Sequence, residues 1–415
     1  MYKRFLLILS LLFALELPCA SAKLEVPHLP DPPPVSLEKV DTSLQLGVEF
    51  LLKNQNPDGS WGRYTNSLSD PVLCPAPCGP LAFRIGTTSL DIMALAAVAP
   101  QDPRVKQALN RASEWLLKEL PRLRRPSTGV LYNVWGHGYA LQALSALAHL
   151  HQDEPERVAR YKAAAETQLQ KLGTYSNLKG GWGYYEFNDI TVRPSCFSMS
   201  FTTAAILVAM KDAEVCFGLK DDKVSGKAIA LLERLRTGEG TYMYGDYMKR
   251  NSEARPYNRH MGSLGRTIAC NFTLARYGIP YATSQIMEDR LDWMWARNGW
   301  LLLAKKWPIP HESYAKNAGY FVFFGYYYAG RTLDKIPPAR QMRHASLLAS
   351  ILLPQQEPSG CWWDFPIMDY HRQYGTGFAL LALSQARKIL SGTHSSAEKN
   401  EQACQAKSCS PYAPL

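Results

Sequence analysis

The sequence predicts an all-α fold, an α6/α6 toroid in which six outer helices surround six inner helices. Three observations lead to this prediction. One turn pattern, Gln-x-x-x-Gly-x-Trp, occurs at residues 55–61 and again at 356–362. Related turns place glycines at 59, 129, 180, 240, 299 and 360, a spacing of 51 to 70 residues that is typical of repeat architectures. Amphipathic and uniformly apolar helical segments alternate along the chain between these turns.

The outer ring is predicted from the segment that precedes each turn. These segments carry apolar residues at helical spacing, with Lys, Arg or Gln near their ends, which is typical of helices with one buried face. They are residues 36–55, 103–120, 156–172, 223–237, 284–297 and 339–353.

The inner ring is predicted from the segments that follow the turns. These are apolar on nearly all sides and rich in small residues, so they should be buried. They are residues 87–99, 135–150, 200–210, 262–278, 317–330 and 374–390. Thr87, Ser200, Ser263 and Thr376 stand where N-caps are expected. No run alternates with a period of two, which argues against strands. An open solenoid is the alternative, and six repeats with buried second helices favour closure.

The repeated turns are predicted to be structural clasps between neighbouring hairpins. Glycine tolerates the positive φ of a reversal, tryptophan covers the junction, and glutamine can bond backbone groups left unpaired at helix ends. The clasp residues are Gln55, Gly59, Trp61, Gly180, Trp182, Gly240, Tyr242, Gln356, Gly360 and Trp362.

The two ends of the chain are predicted to lie outside the ring. Residues 1–22 combine early cations, an apolar run and a small-residue end, which indicates a signal peptide cut after Ala22. A proline-rich arm follows at 23–35, the toroid spans 36–391, and a poorly ordered tail covers 392–415. We therefore expect a secreted or periplasmic protein with no transmembrane segment.

The formal net charge of +10 comes mainly from a basic surface, with clusters in "PRLRRP" and "KRNSEARPYNRH". Such a surface is usually solvated, and attraction to an anionic ligand, glycan or envelope is the alternative. No nucleic-acid-binding motif is present, so we expect no nucleic-acid partner. The sequence does not determine the oligomeric state.

The turns and the "ALLALSQA" type of inner helix resemble the α/α-toroid repeats of squalene–hopene cyclases and of protein prenyltransferase β subunits, over essentially residues 36–391. Cyclases of this kind protonate an alkene with an aspartate of an Asp-x-Asp-Asp cluster. No such cluster occurs here, and Asp91 is the one carboxylate near the expected starts of the inner helices at 87–99 and 200–210. Asp91 is thus a weak candidate for a catalytic acid.

The prenyltransferase resemblance implies a zinc ion held by Asp, Cys and His. His371 stands where the zinc histidine is expected, with Asp369 beside it. The other two ligands would come from "NAGYFVFFGYYYAG", which offers Asn317, Gly319 and Tyr320 instead. We therefore predict no metal and no cofactor, with His371 as a weak metal candidate. Asp369 and His371 are also weak catalytic candidates, and a hydrogen-bonded structural pair is the alternative.

Candidate ligand-binding residues lie near the expected starts of inner helices. "EARPYNRHMGSLGRT" places several basic residues ahead of one such helix, where an anion could bind. A solvated basic loop is the alternative. The candidates are His137, Tyr244, Arg255, Arg259, His260, Arg266, Tyr320 and Tyr374.

Three functional hypotheses follow from these residues, and the sequence leaves open whether the protein is an enzyme. The first is a toroid that holds an elongated apolar or amphiphilic small molecule or lipid without the catalytic groups of its relatives. The second is a glycan lyase or hydrolase on the same scaffold, which would need facing carboxylates or a His–Tyr pair flanked by Arg. The third is a divergent terpene cyclase or prenyl-transfer enzyme.

Overall fold

The computed structural model describes residues 25–62, 79–125, 133–183, 197–248, 255–307, 309–365 and 371–392. The outer helices are α1 (Leu37–Lys53), α3 (Pro103–Glu119), α5 (Pro155–Tyr175), α7 (Asp222–Leu235), α10 (Ser284–Ala296) and α13 (Pro338–Leu352). The inner helices are α2 (Gly79–Val98), α4 (Asn133–Leu150), α6 (Ser200–Phe217), α9 (Leu264–Arg276), α12 (Phe321–Thr332) and α14 (His371–Leu390). Two short helices, α8 (Arg255–Asn258) and α11 (Asn298–Ala304), lie in connections.

The inner helices form a closed ring. Each packs against the next in the order α2, α4, α6, α9, α12 and α14, and α14 packs back against α2. The outer helices pack against the inner ones, for example α3 on α2 and α5 on α4. The predicted toroid is therefore confirmed, and the open solenoid is not the observed arrangement.

The sequence pattern explains which helix faces inward. In α3 the buried residues Val105, Ala108, Leu109, Ala112 and Leu116 follow the three- and four-residue spacing of one helix face. In α6 nearly every residue from Ser200 to Met210 is buried, because this helix has neighbours on all sides. Within the described residues the structure shows isolated β-bridges and no strands, as the absence of period-two patterning predicted.

The predicted N-caps are wrong at three of the four positions. Thr87 lies in the middle of α2 and Thr376 six residues into α14, because both helices begin earlier than their uniformly apolar stretches. Ser200 is the first residue of α6, and Met199 before it occupies the N-cap position. Ser263 does precede α9, but its side chain makes no capping hydrogen bond.

Threonines within three inner helices bond the turns instead. The backbone N–H of each turn tryptophan donates to a threonine Oγ1, and each indole Nε1–H donates to the backbone carbonyl ten residues earlier. The first set joins Trp61 to Thr88 at 2.9 Å, Trp182 to Thr203 at 3.1 Å and Trp362 to Thr376 at 3.0 Å. The second joins the same indoles to Leu51, Leu172 and Leu352 at 2.8, 2.9 and 2.9 Å.

The turn glycines face the outer helix of the next repeat. Gly59, Gly180 and Gly360 have φ of +93°, +97° and +89°. A Cβ at Gly360 would lie 2.3 Å from the carbonyl oxygen of Leu46 on α1, so this position needs glycine for both its backbone and its surroundings.

The turn glutamines extend the same link. The Gln55 amide donates to the carbonyl of Ala108 in the middle of α3 at 2.8 Å. The Gln356 amide donates to the carbonyl of Ser43 on α1 at 2.9 Å. These carbonyls lie within helices and not at the unpaired helix ends that we expected. Because the last turn bonds the first helix, it closes the ring.

Two further copies of the turn differ from this pattern. At Gly240 the φ is +74°, and Tyr242 replaces tryptophan, donating its hydroxyl to Asn271 Oδ1 on α9 at 3.0 Å. Gly299 is not a turn glycine, since it lies within α11. Gly129 lies outside the described residues.

One described helix, over Leu81–Val98, is long and apolar enough to cross a membrane by length and composition alone. It belongs to α2, where it is 67% buried as a member of the inner ring. Its apolarity is thus explained by packing inside the protein. The predicted signal peptide and the tail beyond residue 392 lie outside the described residues.

Candidate functional site

The inner ring encloses a lumen of about 400 Å³ at the end where the inner helices begin. Thirteen of the nineteen residues that line it are aromatic, and none is Asp, Glu, Lys or Arg within the described chain. The aromatic lining residues are Phe83, Trp135, Tyr139, Phe201, Tyr244, Tyr247, Tyr257, Tyr320, Phe321, Phe324, Phe365, Tyr374 and Phe378. Gly86, Thr87, Leu90, Met248, Pro310 and His311 complete it.

The aromatic wall is a set of mutually packed rings. Phe201 of α6 meets Phe321 edge to face, with centroids 4.9 Å apart and planes at 84°. It also contacts Tyr244 at 5.1 Å and Trp135 at 5.8 Å. Edge-to-face pairs of this kind add to the stability gained from burial. The lumen is therefore preformed by the protein's own packing.

A hydrogen-bonded chain forms the polar part of the wall. His311 Nδ1 lies 2.7 Å from the carbonyl oxygen of Lys316, which can only accept, so Nδ1 carries the proton. His311 Nε2 must then accept the Tyr320 hydroxyl proton at 2.9 Å. The Tyr320 oxygen lies 3.4 Å from the Tyr244 hydroxyl. Tyr244, Tyr320 and His311 thus form a chain along which a proton can be passed.

The backbone of His311 is held in an unusual conformation. Its φ is +68°, in the left-handed region that non-glycine residues seldom adopt. Strain of this kind is commonly found at binding and catalytic sites. Burial lowers the pKa of His311 to about 4, and the nearby Arg266 adds to this effect. The ring is therefore neutral at neutral pH and available as a hydrogen-bond acceptor.

Arg266 lies directly behind this wall. Its side chain is 1% exposed, and its guanidinium carbon is 5.2 Å from the centroid of the Tyr244 ring and 6.0 Å from that of Phe321. It donates to the backbone carbonyl of Tyr242 at 3.2 Å and to that of Tyr257. Burial lowers the pKa of Arg266 to about 10, so it remains charged at neutral pH.

A buried carboxyl group fixes another part of the wall. Tyr374 donates its hydroxyl to Asp364 Oδ1 at 2.5 Å, and the backbone N–H of Phe323 donates to Oδ2 at 3.2 Å. Asp364 is fully buried, which raises its pKa to about 6 against the effect of these hydrogen bonds. Asp364 therefore positions Tyr374 and the first turn of α12.

Beneath the aromatic wall, polar residues from four inner helices form what we call the floor cluster, comprising Gln142, Asp212, Arg276, Tyr327 and Arg331. Asp212 Oδ1 accepts from Arg276 at 2.5 Å and from Arg331 at 3.2 Å. Gln142 Oε1 accepts the Tyr327 hydroxyl at 2.9 Å. The cluster ties α4, α6, α9 and α12 together near their carboxyl ends.

The structure brings some of the predicted ligand residues together and separates others. Tyr244, Tyr320 and Tyr374 line the lumen, with Arg266 behind Tyr244. Arg259 is exposed. The Arg255 side chain and Asp369 lie outside the described parts of the chain.

The two predicted histidines do not line the lumen. His137 is buried between α4 and α5, with Nδ1 2.7 Å from Gln168 Oε1. His260 stacks on Trp293 with centroids 4.4 Å apart. Burial lowers the pKa of each to about 4. Both are thus neutral packed side chains.

Asp91 is completely buried, and neither of its oxygens has a hydrogen-bond partner. Burial raises its pKa well above the usual value and so favours the protonated form of the carboxyl group in the folded protein. It packs against Gly377, where a Cβ would lie 2.7 Å from Oδ1. Asp91 therefore lies at the junction of α2 and α14, adjacent to lumen-lining Leu90 but not itself part of the lining.

Potential metal ligands converge at one place in the described chain, and His371 is not among them. Glu288, Asp292 and His344 lie between α10 and α13. The Trp295 indole donates to His344 Nδ1 at 3.0 Å, which leaves the proton on Nε2. Nε2 faces Glu288 and Asp292 at 3.9 and 3.8 Å. A protonated Nε2 offers no lone pair, so these residues do not fit a metal ion.

Sequence reasoning did not identify the main part of the site. Lumen residues recur at helical spacing, as in Phe321 with Phe324 and Tyr374 with Phe378. Because inner helices are apolar on all sides, their lumen-facing stripe has no distinguishing polarity. His311 lies in the loop "PIPHESY", which has no periodicity that would place it.

No family model and no curated protein matches this sequence. In structure the chain is similar to the type II terpene cyclase MstE from Scytonema, with 17% identity, a TM-score of 0.51 and coverage of 86% of this chain and 100% of that one. It is also similar to cellobiose 2-epimerase from Spirochaeta thermophila, with 14% identity, a TM-score of 0.55 and coverage of 85% and 98%.

The GH76A α-1,6-mannanase from Salegentibacter is another structural neighbour, with 11% identity, a TM-score of 0.53 and coverage of 86% and 100%. At such identities these likenesses show the fold and not the chemistry. They support the α/α-toroid scaffold without selecting the squalene cyclase or prenyltransferase family within it. The chain is thus an α/α toroid, a fold found in both terpene-cyclising and glycan-processing enzymes.

Proposed function

We propose that the protein binds an elongated, largely apolar molecule with one polar end inside its lumen. The observation that carries this proposal is the lining, with thirteen aromatic side chains and no charged one among the described residues. A volume of about 400 Å³ is in the range of small-molecule sites, which are mostly apolar with a few placed polar groups. The chain of His311, Tyr320 and Tyr244 supplies those polar groups.

A lumen-filling substitution tests this proposal. A Cβ at Gly86 would meet nothing closer than the Tyr139 ring at 3.8 Å, so a larger side chain can begin there without a backbone clash. We expect Gly86→Phe to fold normally and to displace an environment-sensitive apolar dye from the lumen. Gly226→Phe is the matched control, since Gly226 lies at an exposed position of α7 and a Cβ there meets no other atom. Equal dye binding by both variants would contradict the proposal.

We further propose that the protein is exported, on the basis of residues 1–22. A binding protein of this kind would meet its ligand outside the cytoplasm. Mass measurement of the mature protein from its native host should give a chain that begins at Lys23. A mature chain that retains residues 1–22 would contradict this part of the proposal.

Glycan processing is the second candidate, and the chain of Tyr244, Tyr320 and His311 with Arg266 behind it favours it. A tyrosine oxygen next to a neutral histidine can exchange a proton with a sugar carbon, the step that lyases and epimerases need. Two facing carboxylates, which a hydrolase of the usual type requires, are absent from the described lining.

A panel of acidic polysaccharides tests this second function. Lyase activity should produce an unsaturated sugar with ultraviolet absorbance, and Tyr320→Phe should abolish it while leaving the melting temperature unchanged. Absence of any product from the panel and of epimerised disaccharide would count against glycan processing.

A further inference from the structure

Arg266 is a buried cation with no carboxylate partner in the described chain. Its hydrogen bonds go to two backbone carbonyls, those of Tyr242 and Tyr257. Burial of a charge is costly unless an opposite charge offsets it. Carbonyl dipoles reduce this cost but leave the net positive charge in place. A side chain of this kind is more readily explained by an anion that binds nearby than by packing alone.

The field of Arg266 is directed into the lumen. The rings of Tyr244 and Phe321 line the lumen and lie 5.2 and 6.0 Å from the guanidinium carbon. His311 and Cys270 also lie near Arg266, and both are neutral at neutral pH, because burial lowers the pKa of His311 to about 4 and raises the pKa of Cys270 to about 12. The wall also contains a carboxyl group, Asp364, but its hydrogen bonds go to Tyr374 and to the backbone of Phe323 and not to Arg266. The positive potential of Arg266 therefore acts beside Tyr244 and Phe321.

We propose that the lumen ligand is an amphiphilic carboxylate whose anionic head lies beside Tyr244 and Tyr320, with its apolar body against Phe324 and Phe378. This inference rests on the proposed ligand-binding lumen and names the chemical class of its ligand. The neutral His311 accepts the Tyr320 hydroxyl proton, and a bound carboxylate would compete with the Tyr320 oxygen, 3.4 Å away, for the Tyr244 hydroxyl proton. Arg266 supplies the opposite charge through the ring wall.

The same arrangement makes this part of the lumen unfavourable for a cation. An aromatic ring attracts a cation through the negative potential of its face. At Tyr244 and Phe321 the charge of Arg266 offsets that potential. A carbocation or ammonium group beside these two rings would therefore be repelled, in contrast to the stabilisation that aromatic walls usually give to positive charge.

Three ligands with the same alkyl chain test the inference on the intact protein, namely decanoate, decanol and decyltrimethylammonium. Isothermal titration calorimetry at pH 8 should show decanoate binding about tenfold more tightly than decanol, as expected for one charge pair at an intermediate dielectric. Decyltrimethylammonium should bind more weakly than decanol. If decanol binds as tightly as decanoate, the head-group inference is overturned while the apolar lumen stands. If none of the three binds, the proposed function itself is overturned.

Substitutions of Arg266 provide a second test. Arg266→Met removes the charge and should abolish the preference for decanoate over decanol, whereas Arg266→Lys keeps the charge and should retain part of it. Circular dichroism checks that each variant is folded, since Arg266 also bonds two backbone carbonyls. A folded Arg266→Met variant with an unchanged preference for decanoate would overturn the inference. If this variant does not fold, the comparison of the three ligands decides.

Discussion

Replacement of Trp362 by alanine tests the clasp that closes the ring. Trp362 is fully buried, its indole donates to Leu352 and its backbone N–H donates to Thr376. Loss of a buried tryptophan side chain leaves a cavity between the last turn and α1 and costs about 3–5 kcal/mol of unfolding free energy. The neighbouring Trp363 is the matched control, since it is half-buried and its indole bonds Glu357 at the surface. Trp363→Ala should cost about 1 kcal/mol.

The assay is urea denaturation followed by circular dichroism, with bound apolar dye measured on the same samples. Trp362→Ala should lower the denaturation midpoint far more than Trp363→Ala, and Trp61→Ala should behave like Trp362→Ala because it occupies the same position in the first turn. Equal effects of Trp362→Ala and Trp363→Ala would refute the reasoning. Loss of ligand with an unchanged midpoint would also refute it, since it would make the turn part of a binding site.

Three further changes test other parts of the account. Gly360→Ala places a Cβ 2.3 Å from the Leu46 carbonyl oxygen at a φ of +89°, so we expect the unfolding free energy, measured by urea denaturation, to fall by about 2 kcal/mol or more. Gly238→Ala is the control, because a Cβ at Gly238 meets no other atom. Burial raises the pKa of Asp91 in the folded chain, whereas the same carboxyl group ionises above about pH 4 in the unfolded chain, so wild-type stability should fall as the pH rises above that value, by at most about 1.4 kcal/mol for each pH unit. Asp91→Asn should therefore raise the melting temperature at pH 8 and leave it unchanged at pH 3.5, and equal shifts at both values would contradict this. Asp212→Asn leaves the two arginines of the floor cluster without their carboxylate and should cost about 3 kcal/mol, and a melting temperature equal to wild type would contradict that role.

The fold could be predicted because it is repeated. Each turn needs a glycine at positive φ and a large ring at the junction, so Gly59 and Trp61 reappear as Gly360 and Trp362. The predicted starts of the inner helices were less accurate than the predicted turns. Inner helices begin before their apolar stretch, so Thr376 lies within α14 and bonds the turn from there.

The site could be predicted only in part, because a lumen depends on which side chains six different helices bring together. Tyr244, Tyr320 and Tyr374 were found from their position near inner-helix starts. Arg266 was selected as one of several basic residues, and the sequence does not show that it is buried without a carboxylate partner among the described residues. The His311 bond to Tyr320 depends on the path of a loop, which no periodicity defines.

The central claim is that the lumen holds an amphiphile, and native mass spectrometry of the protein purified from its own compartment tests it most directly. We expect the folded protein to carry an additional small-molecule mass that is released on unfolding and is recovered in an organic extract as an amphiphilic carboxylate. Gly86→Phe prepared in the same way should lack this mass, and Gly226→Phe should retain it. A wild-type protein that carries no such molecule, or one that carries it equally well when the lumen is filled, would contradict the account.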